Sequence, residues 1–249
     1  MKIDVLWTPH ELEHVAVQDR TAVLIDVLRA ATSMITAIHH GARSVVPAGS
    51  TEEAMRLANS LGRGEVLLSG ERGGIRIEGF DLGNSPAEYT PDVVGGRTIV
   101  MSTTNGTRVL ASMAAARRVY VAAFANLGVV AGRLRETEEA ALVVCAGRAG
   151  RVSVDDALCA GMLVEACTSR GQRGPAGQVS QTELGDGAIA AVALAQELAP
   201  VTVEFLRATA AGRGLETIGQ GDDIELCARI DSMPEIPIFV DRKVTKLES

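Results

Sequence analysis

The segment Ala22–Gly41, AVLIDVLRAATSMITAIHHG, constrains the fold more than any other part of the chain. Ala22–Ile25 is an apolar run rich in branched side chains, and it ends at an acid, Asp26. Such a run predicts a strand covered on both faces, the environment of a parallel sheet. Behind it, Arg29 and Thr32 are expected in a loop or first helical turn. The helix should close at Gly41, a residue suited to the left-handed position past a C-terminus. Ligands of open α/β sheets bind beyond the carboxyl ends of the strands. A carboxylate, a guanidinium and a hydroxyl there suit a metal and an anionic substrate. From these residues alone, a polar strand end beside a surface cation reads equally well.

The same grammar recurs along the chain. Strands are expected at Ile3–Trp7, Ser44–Ala48, Glu65–Leu68, Thr98–Ser102, Arg118–Ala122 and Ala141–Cys145, with a helix from the Ser50/Glu53 capping box to Leu61 and another over Leu127–Arg135. Asp155 and Asp156 read as N-terminal caps of a helix to about Ser169, followed by a Gly-rich loop, Arg170–Gln178. Glu183–Leu198 and Val203–Ala211 predict helices, and Ile224–Ile230 and Ile236–Val240 final strands. The order is that of an α/β protein with helices layered on a parallel sheet. At 249 residues the chain is one unit, 1–249, or two closely packed lobes, 1–122 and 123–249. VLLSGERGG from Val66 and LVVCAGRAG from Leu142 are a weak internal echo.

Two connections stand out. Ser69–Pro86, SGERGGIRIEGFDLGNSP, interleaves glycines with acids and arginines, as functional loops do. TTNGT, Thr103–Thr107, follows a strand and precedes a helix, where backbone N–H groups and hydroxyls can face an anion; a plain cap by Thr104 or Asn105 is the alternative.

Composition narrows the chemistry. Aromatics are 3 % of residues, so aliphatic side chains must build the core. A net charge of −7 argues against a nucleic-acid binder. Lys2, Lys243 and Lys246 are the only lysines, which excludes a lysine-dependent P-loop and leaves arginine as the cation for a bound anion. Cys145, Cys159, Cys167 and Cys227 form no CxxC pair and read as reduced core thiols. His10 and His14 are expected on a surface helix rather than on zinc. The N-terminus has no leader pattern and no apolar run approaches membrane-spanning length, so a cytoplasmic protein without membrane contact is expected.

IDVLRA, GER, GFDLGNSP, TTNGT, GRAG…DDALCAG and GDDIELC occur here in one order. In that order, from about Leu6 to Phe239, the chain closely resembles the 2-phosphosulfolactate phosphatase family, which hydrolyses phosphosulfolactate to sulfolactate and phosphate on the route to coenzyme M. Ala31 departs from a threonine common at that place. The resemblance implies a magnesium-dependent phosphatase with a two-lobed, three-layer α/β/α fold of its own, taking a small anionic phosphorylated substrate; a homodimer is compatible with it. The motif positions are Asp26, Arg29, Glu71, Arg72, Asp81, Asn84, Ser85, Thr103, Thr104, Asn105 and Thr107. On this reading Asp26, Glu71 and Asp81 hold Mg²⁺. Asp26, Arg29 and Glu71 carry the catalysis, and Arg29, Arg72 and Arg148 take the substrate's oxyanions beside the neutral donors Asn84, Ser85, Thr103, Thr104, Asn105 and Thr107. Asp26 is open as nucleophile or metal ligand. Leu28 stands where an Asp-x-Asp phosphatase has its second acid, which favours attack by metal-activated water. The alternatives are a phosphatase of the same scaffold acting on another small phosphorylated acid, and a non-catalytic anion-binding module.

Overall fold

A computed structural model describes residues 1–62, 64–137, 139–168 and 182–248. The strands are β1 (Lys2–Leu6), β2 (Thr21–Ile25), β3 (Ser44–Pro47), β4 (Val66–Arg72), β5 (Ile75–Arg76) and β6 (Thr98–Ser102). They continue with β7 (Arg118–Ala122), β8 (Ala141–Cys145), β9 (Glu183–Leu184), β10 (Pro237–Val240) and β11 (Lys243–Lys246). The α-helices are α1 (Ala30–His39), α2 (Thr51–Leu61), α3 (Pro91–Val94), α4 (Gly106–Ser112) and α5 (Leu127–Thr137). After them come α6 (Val154–Thr168), α7 (Asp186–Leu198), α8 (Val203–Ala208), α9 (Ala210–Thr217) and α10 (Asp223–Cys227).

The eleven strands of the described residues form one sheet in the order β5-β4-β6-β3-β11-β10-β7-β2-β8-β1-β9. It has two parallel blocks, β4-β6-β3 and β7-β2-β8-β1-β9, joined by the antiparallel hairpin β10-β11, with β5 antiparallel on the β4 edge. The strands of 1–122 and 123–249 share this sheet, and β8 lies between β1 and β2.

Strand β2 shows why the fold has three layers. Every residue of it is buried. Ala22 and Leu24 pack in one core with Met34 and Ile35 of α1 and Leu110 of α4. Val23 and Ile25 pack in the other with Val130 of α5 and Leu158 and Leu163 of α6. Alternate side chains of a strand point to opposite faces, so a strand buried at each position requires helices on both sides.

Several elements differ from the sequence expectation. Strand β4 runs on to Arg72, because the GER triplet continues its pairing with β6 as far as Gly70–Ser102 and then turns into β5. Residues Asp223–Cys227 are a helix, not a strand: Ile224 and Cys227, three apart, are its buried side. Glu183 and Leu184 pair with β1, so α7 begins only at Asp186. The expected helix Val203–Ala211 divides at Thr209, whose hydroxyl accepts from Gly212 N–H and starts α9. Strand β11 is an addition. His10 and His14 lie on a 3₁₀ segment, Pro9–His14, with no buried residue. All four cysteines are free and buried. Ser169 and the Gly-rich stretch Arg170–Gln178 lie outside the described residues. Among those residues no helix is long and apolar enough to cross a membrane.

Candidate active site

Residues beyond or near the carboxyl ends of β2, β4, β6 and β8 converge on one cleft of about 230 Å³. From β2 come Asp26, Leu28 and Arg29; from the β4–β5 hairpin Glu71, Gly73 and Gly74; from the β6–α4 turn Thr103, Thr104 and Asn105. The segment after β8 adds Gly147, Arg148, Ser153, Asp155 and Asp156. Ala211, Gly214 and Leu215 of α9, with Ile218 just beyond it, form an apolar wall, and Asn84 completes the lining.

Asp26 is the centre of the acidic side. It is 6 % exposed and sits where two helices begin. Ala30 N–H donates to its Oδ1 at 3.1 Å, and Gly106 N–H also donates to the carboxylate. Burial pushes its pKa up to about 7, with the charges of Asp155 and Glu71 adding to the rise and the two backbone donors opposing it. Close approach explains the glycine of TTNGT. A Cβ at Gly106 would stand 2.6 Å from Asp26 Oδ2 and 3.0 Å from Ala30 Cβ.

Asp155 and Asp156 are in the first turn of α6, as caps would be, but both are buried against the cleft. Asp156 accepts Val27 N–H at 2.8 Å on Oδ1 and Gly147 N–H at 3.0 Å on Oδ2, so it ties the β2 loop to the β8 loop. Asp155 Oδ1 accepts the Ser153 hydroxyl at 2.6 Å. Burial raises both acids, and for Asp156 the neighbouring Asp155 and Asp26 raise it further. Site reasoning from sequence missed this pair. The signal was present in the echo of GER by GRAG, each at the end of a parallel strand, with DD close behind the second.

Glu71 is held by Gly74 N–H at 2.7 Å, Thr104 N–H at 2.7 Å and the Thr104 hydroxyl at 3.1 Å. Donors of the TTNGT turn are therefore spent on a carboxylate. Thr103 and Thr107 bond to each other, and Thr107 lies behind the lining. Asn105 stands at the N-cap of α4 with no capping bond from its side chain. Asn84 Oδ1 is buried without a partner, a polar atom in the cleft that protein leaves unsatisfied.

Besides Thr107, three expected site residues do not reach the cleft. Glu71 faces inward, so the next residue of the strand, Arg72, faces away; its guanidinium binds the Glu71 carbonyl, the Ser102 carbonyl and the Ser102 hydroxyl. Asp81 is exposed, and its Oδ2 accepts Leu68 N–H at 2.8 Å beside the Ser69–Leu82 bridge. Ser85 donates to Asp223 Oδ1 at 2.5 Å, behind the lining. Arg29 and Arg148 are the cleft's two cations. Arg148 is exposed and donates to the Ala211 carbonyl at 3.2 Å; a Cβ on Gly214 would overlap its guanidinium.

Among the described residues no group of three His, Cys, Asp or Glu side chains is arranged as a metal centre. Magnesium requires less: one or two carboxylates, with water and substrate phosphate completing the shell. Crowded carboxylates that burial and mutual repulsion hold above their usual range fit a divalent cation, which relieves that repulsion.

A parallel sheet with acids and arginines at its carboxyl ends defines an α/β protein built for a small anion, and comparison with known proteins narrows it to phosphoric monoester hydrolases. The family model for 2-phosphosulpholactate phosphatase matches residues 6–242. A probable 2-phosphosulfolactate phosphatase of Clostridium novyi is 32 % identical over 246 residues, covering 99 % of this chain and all of the relative. Proteins of the same description from Symbiobacterium thermophilum and Thermotoga petrophila are 37 % and 35 % identical, covering 92 % and 96 % of this chain and 95 % and 96 % of theirs. The chain belongs to the 2-phosphosulfolactate phosphatase family.

Proposed function

We propose that the protein hydrolyses 2-phosphosulfolactate to 3-sulfolactate and phosphate, with Mg²⁺ as its metal. The observation that carries the reading is the buried group Asp26, Asp155 and Asp156 set opposite Arg29 and Arg148 in one cleft. Acids repel a polyanion unless a cation intervenes, so an anion binder without a metal has no use for them. A phosphorylated, sulfonated carboxylic acid carries three anionic groups, and two arginines plus one metal answer that number.

Asp26 and Asp155 would hold the ion, with Asp156 bracing the β2 and β8 loops through Val27 and Gly147 N–H and Glu71 bracing the β4–β5 hairpin and the β6–α4 turn. A magnesium ion held there would supply charge neutralisation for the transferred phosphoryl group and would lower the pKa of the attacking water. Arg29 and Arg148 bind substrate oxygens, and the Asn84 and Asn105 amides offer neutral partners. Leu28, Leu215 and Ile218 give the cleft its apolar side. The phosphoryl group passes from the ester oxygen to water; positioning and charge neutralisation account for most of such catalysis. Buried, unpaired cysteines suit a reducing compartment, and the reading places the enzyme in the cytoplasm, in a route of the coenzyme M type.

Phosphate release from 2-phosphosulfolactate, measured against a panel of phosphorylated acids, tests the reading. Release from another acid alone would replace the substrate, and release from none would leave an anion binder.

Two variants probe the geometry. Arg29→Lys should lower kcat/KM at least about tenfold, because an ammonium cannot reproduce a guanidinium fork. Arg72→Lys should stay within about twofold, since Arg72 points away from the cleft. Equal losses at both positions would contradict the placement of Arg72. Gly106→Ala should cut turnover by roughly tenfold to a hundredfold in a protein with an unchanged circular dichroism spectrum, the penalty for displacing a reacting group by about an ångström. Normal turnover would show that the Asp26 position tolerates that shift.

A further inference from the structure

Arg29 is held more firmly than binding a substrate requires. Its side chain is 2 % exposed, and two distant parts of the chain, Gly74 and the Gln220–Asp223 segment, meet on it. Nη1 donates to Asp223 Oδ2 at 2.7 Å and to Gln220 Oε1, and Nη2 donates to the Gly74 carbonyl at 2.8 Å. Asp223, itself 6 % exposed at its side chain, takes the Ser85 hydroxyl on its other oxygen at 2.5 Å. One carboxylate of α10 thus fixes both Arg29 and the segment that carries Asn84 into the cleft.

A guanidinium has five N–H donors in a rigid plane. Three are used by these bonds. The Nε–H and the second Nη2–H are left, with no acceptor among the described residues. Together they form the side edge of the guanidinium, spaced to meet two oxygens of one carboxylate, sulfonate or phosphate. Had the bonds to Asp223 and Gln220 been absent, Arg29 would have several ways to present its donors.

We propose that Asp223, assisted by Gln220, is a positioning residue of the reaction, orienting Arg29 so that its Nε–Nη2 edge grips two oxygens of a single substrate oxyanion. The inference rests on the phosphatase reading for its substrate, and on the cleft geometry alone for the grip. Asp223 touches no reacting atom; it acts through Arg29. An acid that merely stabilised the fold would lower the melting temperature without altering how ligand binding depends on Arg29.

A double-mutant cycle separates the two roles. Arg29→Lys, Asp223→Asn and the double variant are compared in kcat/KM for 2-phosphosulfolactate and, by titration calorimetry, in Kd for 3-sulfolactate. Each single variant should lose at least about tenfold in both quantities, and the double should fall no more than about twofold below the weaker single. Losses that multiply would overturn the proposal, as would a folded Asp223→Asn protein with wild-type values. If wild type leaves 2-phosphosulfolactate intact yet binds 3-sulfolactate, the phosphatase reading fails while the cycle in Kd still decides the positioning role. Wild type binding no 3-sulfolactate would overturn the grip itself. Should Asp223→Asn not fold, Gln220→Ala removes one acceptor and no charge from a half-buried turn and carries the same cycle, with an expected loss of about threefold or more. An unaffected Gln220→Ala protein would then count against the proposal.

Discussion

Asp26→Asn should lower kcat by roughly two to four powers of ten, the loss expected when several kcal/mol of transition-state charge stabilisation disappear. The same change should make the metal-free protein more stable near neutral pH. Folding raises the Asp26 pKa from 3.8 to about 7, so the folded state binds this proton more tightly than the unfolded chain does. Below about pH 4 the acid is protonated in both states and costs nothing. As pH rises towards 7 the unfolded chain ionises freely while the folded one resists, and stability is progressively lost; above about 7 the loss is complete, on the order of 4 kcal/mol. Asparagine carries no such penalty. At about pH 8 the metal-free variant should therefore melt several degrees above wild type, and the difference should shrink towards zero near pH 4. Protonated Asp and Asn both keep a carbonyl oxygen for the Ala30 donor, so the acidic comparison is between like groups. A variant that melts lower at pH 8 yet turns over normally would make Asp26 a structural acid and remove the centre of the proposed site.

Much of this arrangement is legible in the sequence because parallel strands announce themselves. Residues 22–25, 99–101, 119–122 and 141–145 are runs of consecutive apolar side chains, and each lies in a strand buried on both faces. Asp26 and Arg29 were placed at the sheet's carboxyl edge by the same reasoning. What failed was direction within short elements. Reading GER as loop left Glu71 and Arg72 equivalent, whereas the continuation of β4 turns one towards the cleft and the other away. Asp223 stands just ahead of Ile224–Ile230, expected as a strand, and its place in the first turn of a helix is what brings it to Arg29. Asp155 and Asp156 begin a helix, the commonest reason for acids to stand there, so their sequence position concealed that their carboxylates turn inward to the cleft. Each miss concerns which way a side chain faces, a property set by neighbours distant in sequence.

Exhaustive chelation should abolish turnover, and Mg²⁺ should restore it. Activity is one readout; stability is an independent one. The metal-free cleft holds Asp26, Asp155 and Asp156 together in a buried space, each carboxyl pushed upward by burial. A cation that binds the folded protein and not the unfolded chain adds stability in proportion to the logarithm of its concentration over Kd, about 2.7 kcal/mol at a hundredfold excess over Kd. Added Mg²⁺ should therefore raise the melting temperature of wild type by roughly 5–10 °C at that excess, taking 2–4 °C per kcal/mol for a chain of this size. The shift should grow as pH rises through about 7, where Asp26 ionises without help, and should fade at lower pH as protons compete for the same oxygens. Asp26→Asn should respond weakly to Mg²⁺, and Asp81→Asn should respond as wild type does, since Asp81 lies outside the lining. Wild-type turnover after complete chelation, with no melting shift on adding Mg²⁺, would leave the acids without a cation and require that one of them act on the phosphate directly. A metal response lost in Asp81→Asn but kept in Asp26→Asn would move the ion to the Ser69–Pro86 loop, away from the cleft in which Arg29 and Arg148 wait for the anion.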